Sequence, residues 1–313
     1  MRLVSVIATM VGLCVFPTIL FAADKEPVTA RDFYERGTHR PDSENELSLA
    51  DLSKAIELDP KLDAAIGSRA GVYAALGKYP QAIDDYTVYL ARHPGHYSTL
   101  FNRAGCNKAA KRYEEAIVDY NDILDGEIDF KNTITPREHA LARSHHYRGD
   151  LLFEWTKDYP AAIADYTAAL ELEPGISEVR MQRATVYRVL GEWSKADADY
   201  RQEAELTPKS SNVFSAWAWQ YATCPEDRFR NGSRAIELAQ QACEKSRWSI
   251  PSHLSTLAAA YAESGRFDDA VETQTKAIEQ NTLEFWRPIF KKRLESFRQS
   301  QPLRHDPRVR KPS

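Results

Sequence analysis

The sequence lacks the short motifs that mark the common kinds of active site. It contains no Gly-x-Ser-x-Gly nucleophile elbow, no glycine-rich phosphate loop and no His-Glu-x-x-His zinc pair. Hydrolysis by a nucleophile, phosphoryl transfer and metal-assisted hydrolysis therefore have no candidate residues. We predict a protein that is not an enzyme and that holds no cofactor.

Charge of one sign is not in excess either. The 313 residues include 41 lysines and arginines against 45 aspartates and glutamates, a formal net charge of −4 with histidine neutral. A surface this balanced has no basic field to hold a phosphate backbone, so we predict no nucleic-acid partner. Glycine (13) and proline (16) are not enriched, which excludes collagen-like and low-complexity chains.

Long apolar runs are absent after the first 23 residues. Before that point, Leu3–Ala23 carries no charge and lies between Arg2 and Asp24. A charged start, an apolar stretch and small residues at its end are typical of a secretory signal peptide, which we predict over residues 1–22. The alternative is an uncleaved helix that anchors the protein, because 21 uncharged residues can span a bilayer. We favour cleavage, which predicts an exported, periplasmic or extracellular protein with no stable membrane span.

Segments that end in proline recur at a fixed interval. Pro94 follows Pro60 by 34 residues, and Pro208 follows Pro174 by the same interval. Each proline ends a predicted helix, as in Ala55–Pro60. A period of this length predicts a solenoid of helix pairs, because one pair alone is too small to bury its apolar face.

Small and aromatic residues recur at equivalent places within these periods. In the period 63–96 they are Ala70, Tyr73, Leu76, Gly77, Tyr79, Ala82, Tyr86 and Pro94. In the period 177–210 they are Ala184, Tyr187, Leu190, Gly191, Trp193, Ala196, Tyr200 and Pro208. This spacing resembles the tetratricopeptide repeat. The resemblance implies an all-α fold, a right-handed superhelical solenoid of antiparallel helix pairs in which small residues let the helices approach closely.

The resemblance covers residues 29–284 and implies seven helix–turn–helix units. Their approximate ranges are 29–62, 63–96, 97–130, 142–176, 177–210, 211–250 and 251–284. The basic segment 285–299 predicts a helix that caps the last unit, because a solenoid would otherwise expose its stacking face. Residues 300–313 are rich in proline and arginine and predict a disordered tail.

Arginine and aspartate recur together in the first five units. An arginine precedes the small residue of the first helix, at Arg36, Arg69, Arg103, Arg148 and Arg183. An aspartate lies in the second helix of the same units, at Asp51, Asp85, Asp119, Asp165 and Asp199. The last two units lack both residues. Joint presence and joint absence predict a ladder of Arg–Asp bridges, with an arginine row that binds an anionic ligand as the alternative.

In the tetratricopeptide family a concave groove is lined by positions 2, 5, 9, 12 and 13 of each first helix. Most of these positions are small or apolar here, such as Gly67, Gly71 and Ala74, which favours an extended or helical apolar peptide as the ligand. Family members that clamp a C-terminal carboxylate use lysine, arginine and asparagine at such positions, and the two glycines depart from that pattern. The candidate ligand-binding residues are Phe101, Asn102, Arg103, Lys108, Met181 and Arg188.

Cysteine is scarce, and histidine forms one cluster. Cys224 and Cys243 belong to the same predicted helix pair. In an exported protein they could form a disulfide, with two buried free thiols as the alternative. His139, His145 and His146 are close in sequence, but adjacent histidines point to different sides of a helix, so we predict no metal site.

The predicted function is a non-catalytic scaffold for protein–protein interaction in the cell envelope or outside the cell. Its groove would bind a peptide or a partner subunit of unknown identity. The alternative is an accessory or substrate-recruiting subunit of an envelope enzyme complex, with catalysis on another chain. Groove specificity depends on combinations of side chains rather than on a motif, so the sequence does not name the partner.

Overall fold

The computed structural model describes residues 26–130, 135–305 and 307, so the predicted signal peptide lies outside the described residues. Within the described residues the chain forms fifteen α-helices and no β-strand. The helices are α1 Ala30–His39, α2 Asn45–Leu58, α3 Asp63–Ala75, α4 Tyr79–Arg92, α5 Tyr97–Ala109, α6 Tyr113–Asp125, α7 Arg137–Leu151, α8 Tyr159–Leu172, α9 Ser177–Leu190, α10 Trp193–Leu206, α11 Ser211–Thr223, α12 Gly232–Lys245, α13 Pro251–Glu263, α14 Phe267–Gln280 and α15 Arg287–Arg298. None of these described helices is both long and apolar enough to cross a membrane.

Consecutive helices pack as antiparallel pairs, and the pairs stack in chain order. The pairs run from α1–α2 to α13–α14, and α15 packs on α14 as a cap. One predicted range needs correction, because α7 of unit four begins at Arg137 rather than at residue 142. Pro136 immediately precedes α7, where a missing backbone N–H costs little, and so the helix starts as soon as the connection from α6 ends.

A residue in the left-handed conformation follows the first helix of five units. It is glycine in three of them, at Gly77, Gly191 and Gly265, with φ of 70°, 77° and 74°. Lys111 and Lys157 take the same conformation, with φ of 61° and 60°. Because a Cβ makes this conformation unfavourable by about 1–2 kcal/mol, packing of the helix pair must impose it on the two lysines.

The small residue of each first helix marks the closest approach of the two paired helices. At Gly149, an added Cβ would lie 2.9 Å from the Tyr166 ring, and at Gly37 it would lie 3.0 Å from the Leu52 side chain. Neither position has space for a larger side chain without a shift of the partner helix. The corresponding residues of units two, three and five are fully buried alanines, namely Ala70, Ala104 and Ala184.

The interior consists of separate apolar clusters rather than one core. Five clusters of buried residues follow one another along the described part of the solenoid. The largest joins the last three units to the cap and includes Trp217, Leu257 and Phe290. This arrangement follows from the repeat, since each unit can bury its apolar surface only against its two neighbours.

Residues 301–305 are ordered, and the prediction of a disordered tail is wrong for this part of the chain. They form an extended segment that returns from α15 to the preceding units. The Leu303 side chain packs against the largest cluster, and the backbone N–H of His305 donates to the Thr223 carbonyl over 2.8 Å. Carbonyls at the end of a helix have no partner within the helix, so α11 offers this segment an acceptor. We call residues 301–305 the C-terminal segment.

Candidate functional site

Each of the five predicted arginines binds the aspartate of its own unit. Nε and Nη2 of the guanidinium donate to the carboxylate oxygens over distances of 2.5–3.2 Å. All five aspartates are buried, and the arginines remain partly exposed. The structure pairs Arg36 with Asp51, Arg69 with Asp85, Arg103 with Asp119, Arg148 with Asp165 and Arg183 with Asp199. These guanidinium groups therefore do not form the free arginine row that was the alternative.

Four of these arginines also bind the preceding unit. Their Nη1 donates to a side-chain oxygen that lies two residues after the preceding unit's ladder aspartate. These contacts are Arg69 to Ser53 at 3.3 Å, Arg103 to Thr87 at 3.2 Å, Arg148 to Asn121 at 2.8 Å and Arg183 to Thr167 at 3.0 Å. The ladder thus joins neighbouring units as well as the two helices of each unit. An Asp-x-Ser, Asp-x-Thr or Asp-x-Asn pattern was present in the sequence and could have predicted this second contact.

Burial and ion pairing act in opposite directions on the pKa of the ladder carboxylates. Burial raises the pKa of Asp165, but hydrogen bonds from Arg148 and His145 outweigh it, so this pKa lies below its ordinary value. The pKa of Asp51 is lowered in the same way, since two arginines outweigh its burial. At Asp119, burial outweighs the single arginine and the pKa is raised. The rungs therefore respond differently to acid.

At and beside the groove positions of units three and four, two aromatic rings lie beneath two cations. The rings of Phe101 and Tyr147 meet edge to face, with centroids 5.6 Å apart. The Arg143 guanidinium lies 4.5 Å from the Phe101 centroid, and Lys108 Nζ lies 5.9 Å from that of Tyr147. Such contacts are attractive because the ring faces are electron-rich. We call these four residues the cation–aromatic patch, and they make this part of the groove charged rather than small and uncharged as predicted.

The patch is only partly neutralised by the chain itself. Lys108 Nζ lies 3.9 Å from Asp150 Oδ2, and burial raises the pKa of Asp150. The other oxygen of Asp150 accepts a hydrogen bond of 2.9 Å from the Tyr166 hydroxyl. No carboxylate among the described residues forms an ion pair with Arg143. The patch therefore presents a cation beside an aromatic surface.

The other predicted groove residues lie apart from this patch or are engaged elsewhere. Asn102 is exposed, and Arg103 belongs to the ladder. Met181 packs partly buried against the largest apolar cluster, and Arg188 contacts the C-terminal segment. The six candidate residues consequently do not form one site, although Phe101 and Lys108 do come together.

The C-terminal segment lies across groove positions of the last three units. Nδ1 of His305 is 3.4 Å from Arg188 Nη2, at position 12 of unit five, and 3.5 Å from Trp219 Nε1, at position 9 of unit six. Arg304 Nη1 donates to Glu263, at position 13 of unit seven, over 2.6 Å. With the backbone hydrogen bond to α11, these contacts place an extended segment of the chain in its own groove.

Residues 69–129 match the sequence profile of the tetratricopeptide repeat family. A tetratricopeptide repeat protein from Parabacteroides merdae has a similar crystal structure, with a TM-score of 0.54 and 16% identity over 86% of this chain and 98% of that one. The chain folds as a tetratricopeptide-repeat solenoid. MamA from Desulfovibrio magneticus gives a TM-score of 0.48 with 16% identity, over 57% of this chain and 93% of that one. No curated protein matches this chain in sequence.

Of the two possibilities for Cys224 and Cys243, this tetratricopeptide solenoid has the two buried free thiols and not the disulfide. Cys224 directly follows α11, whereas Cys243 is close to the last residue of α12. Because the two helices are antiparallel, the cysteines lie at opposite ends of the pair, separated by roughly 16 Å along the helix axis. A disulfide needs Cα atoms within about 7 Å. Burial raises the pKa of the Cys243 thiol to about 12, so it behaves as a small apolar residue.

The three clustered histidines have separate partners. His139 contacts Glu173 at 2.7 Å, and His145 contacts the ladder carboxylate of Asp165 at 2.8 Å. His146 points elsewhere, to the Gln182 side-chain oxygen at 2.7 Å. Within the described ranges no three His, Cys, Asp or Glu side chains come close enough together to hold a metal ion.

Two residues of the tetratricopeptide array were not predicted from the sequence to occupy groove positions. Arg143 occupies position 2 of unit four and Trp219 occupies position 9 of unit six, counted from the ladder arginine or from the first helical residue. Applying the five groove positions to units four and six as well would have identified both. The signal was present, but the displaced start of α7 and the missing ladder of unit six concealed the register.

Proposed function

We propose that this tetratricopeptide array is a protein–protein interaction scaffold that binds a partner polypeptide along its groove, in the cell envelope or outside the cell. The observation that carries the proposal is the C-terminal segment, which lies across groove positions of the last three units. It is held by a backbone hydrogen bond, a packed leucine and an ion pair. These are the contacts with which a groove binds an extended peptide from another chain.

The cation–aromatic patch supports a partner of mixed acidic and apolar character. Arg143 covers Phe101 and Tyr147, and no described carboxylate of this chain pairs with it. A carboxylate of the partner would gain a charge-assisted hydrogen bond from Arg143, and an adjacent apolar side chain would pack on the exposed ring surface. The patch lies in units three and four, clear of the C-terminal segment, so a partner could occupy it without displacing that segment.

Photo-cross-linking in the native host tests the groove directly. A benzoyl-phenylalanine at Phe101 places the reactive group in the patch, and the same residue at Val118 places it on the exposed outer surface of α6. We expect a discrete adduct at position 101 and none at position 118. An additional Arg143→Ala change should reduce the adduct several-fold, because it removes the cation that would hold the partner's carboxylate.

The adduct also separates the two functional readings. Mass spectrometry of its second polypeptide would show a non-enzymatic envelope protein if the chain is a scaffold, and an enzyme if the chain is a recruiting subunit. Equal adducts at positions 101 and 118, or an adduct only at 118, would show that the groove is not the binding surface.

The proposed export has its own test. Edman sequencing of protein purified from the host should begin at Ala23, and fractionation should place the protein outside the cytoplasmic membrane. A chain that still begins at Met1 and sediments with the membrane would support the uncleaved anchor instead.

A further inference from the structure

An open cavity of about 400 Å³ lies where the C-terminal segment meets the cap. Its walls come from α11, α15 and the segment itself, and they combine an apolar side with a basic side. The lining includes Trp219, Ile289, Lys292, Arg293 and Leu303. The cavity adjoins groove position 9 of unit six, so a ligand that follows the groove would reach it.

Arg293 is the central group of this cavity. Its guanidinium lies 4.4 Å from the Trp219 ring centroid and 5.8 Å from that of Phe290. Its one hydrogen bond in the described structure runs from Nη1 to Ser255 Oγ over 2.7 Å. Burial lowers the pKa of Arg293 to about 10, so the group stays protonated at neutral pH. The cation is thus partly desolvated with most of its donors unused.

No carboxylate among the described residues neutralises Arg293. Glu263 contacts Arg304 of the cavity lining, but its two oxygens accept from Arg230 over 2.9 Å and from Arg304 over 2.6 Å. Lys292 adds a second cation to the lining of the cavity. The five ladder arginines contrast with this arrangement, since each of them has a buried aspartate. A partly desolvated cation without a counter-ion is stabilised when an anion binds to it.

We propose that this cavity binds a carboxylate of a partner polypeptide, with Arg293 as the bidentate donor. The planar guanidinium offers two parallel N–H groups to a carboxylate, and its stacking on Trp219 fixes the plane of that fork. An apolar side chain next to the carboxylate would pack on Ile289 and Leu303. The site lies on the capping helix, away from the first-helix positions of the family's carboxylate clamp. That the carboxylate belongs to a partner polypeptide rests on the function proposed above. That the cavity binds a carboxylate does not depend on that function.

Fragment binding tests the cavity without knowledge of the partner. N-acetyl-leucine and N-acetyl-leucinamide share their apolar part and differ in the carboxylate, and titration calorimetry on the full chain measures both. We expect millimolar binding of the acid, with a matching rise in melting temperature, and no binding of the amide. Arg293→Met should weaken binding of the acid by about tenfold or more. Lys291→Met removes an exposed charge from the same helix outside the cavity and should leave binding unchanged.

Further arms distinguish the sources of the anion. Stronger binding of N-acetyl-leucine than of N-acetylglutamate α-amide indicates a chain terminus, and the reverse indicates an acidic side chain; both support the proposal. Binding of inorganic phosphate as tight as that of the carboxylates would overturn it in favour of a general anion site. Binding that appears only after Asp306→Asn would assign the cavity to the chain's own carboxylate and overturn the partner. No carboxylate binding in either protein would also overturn it, whatever the cross-links at position 101 show.

Discussion

Four of the five ladder guanidinium groups bind two units at once, their own and the preceding one. The Nε and Nη2 atoms of Arg103, for example, bind Asp119 in the same unit, and its Nη1 binds Thr87 in the unit before. Arginine suits this position because its donors lie in one plane and point in several directions, which a lysine ammonium does not reproduce. The aspartate is buried, so its charge depends on the arginine for stability.

Arg103→Met should therefore lower the free energy of unfolding by about 2–4 kcal/mol, because it leaves the buried Asp119 without its cation. Asp119→Asn should also be destabilising, by a smaller amount, since the amide keeps one acceptor for the guanidinium. Urea denaturation at neutral pH measures both changes. If Asp119→Asn left the free energy of unfolding unchanged while Arg103→Met lowered it, the arginine would stabilise the protein through packing and not through its ion pair with Asp119.

The stability contributions of two ladder aspartates should change in opposite directions with acid. The pKa of Asp165 is lowered in the folded protein, so its contribution is present above the ordinary value of 3.8 and is lost as the pH falls through its lower folded value. The stability gap between wild type and Asp165→Asn should shrink between about pH 6 and pH 3.

The same measurement on Asp119→Asn supplies the control of opposite sign. The pKa of Asp119 is raised, so its contribution is fully present at low pH and is lost as the pH rises through the folded value. The gap between wild type and this variant should widen on acidification. If the stability gaps of both variants changed in the same direction with pH, the claim that ion pairing dominates at Asp165 and burial at Asp119 would be wrong.

At the scale of the helix pair, the packing of the two helices overrides local preference at two turns. Glycine follows the first helix in units two, five and seven, as its freedom at positive φ favours, whereas Lys111 and Lys157 occupy the same place in units three and four. The turn could be predicted there from the period, but not from the residue. At the two cysteines, by contrast, the sequence suggested too much. Cys224 and Cys243 belong to one helix pair, which suggested a disulfide, but the length of the helices keeps the two thiols too far apart.

Lys111→Gly should raise the free energy of unfolding by about 0.5–1 kcal/mol, since it removes the cost of a Cβ at positive φ. Lys111 is exposed, so the change removes no packing. Lys291→Gly, in the interior of α15, is the matched control and should lower stability by about 1 kcal/mol. Thermal denaturation of the two variants measures both changes. A loss of stability in both variants would show that the positive φ of Lys111 does not destabilise the protein.

At the scale of the whole molecule, the solenoid and its helix pairs were predictable because the repeated pattern of small, aromatic and proline residues can be read directly along the sequence. The C-terminal segment was not, because its composition is typical of disorder and its binding depends on a carbonyl, a tryptophan and a glutamate from three other places in the chain. The cation–aromatic patch was half predicted: Phe101 and Lys108 of unit three were candidates, but Arg143 and Tyr147 of unit four were not.

Truncation after Ser300 should test how far the C-terminal segment acts. In a repeat protein each unit interacts only with its neighbours, so the loss of Leu303 and His305 should destabilise only the adjacent units. We expect faster amide exchange at the end of α11 and in α15, with no change in α1–α8. Hydrogen-exchange mass spectrometry of the two chains measures this. Faster exchange throughout the array would show that the segment stabilises the whole solenoid.

The double role of four ladder arginines bears on how such an array lengthens by gene duplication. A copied unit from the first four brings its own arginine, its own aspartate and, two residues later, the oxygen that the next arginine needs. We therefore expect such copies to be accepted among these units. After unit five the rule changes, because Arg201 stands where the accepting oxygen would be and binds Asp197 instead. A copy inserted there would bring two cations together, so the boundary at unit five limits where duplication can extend the array.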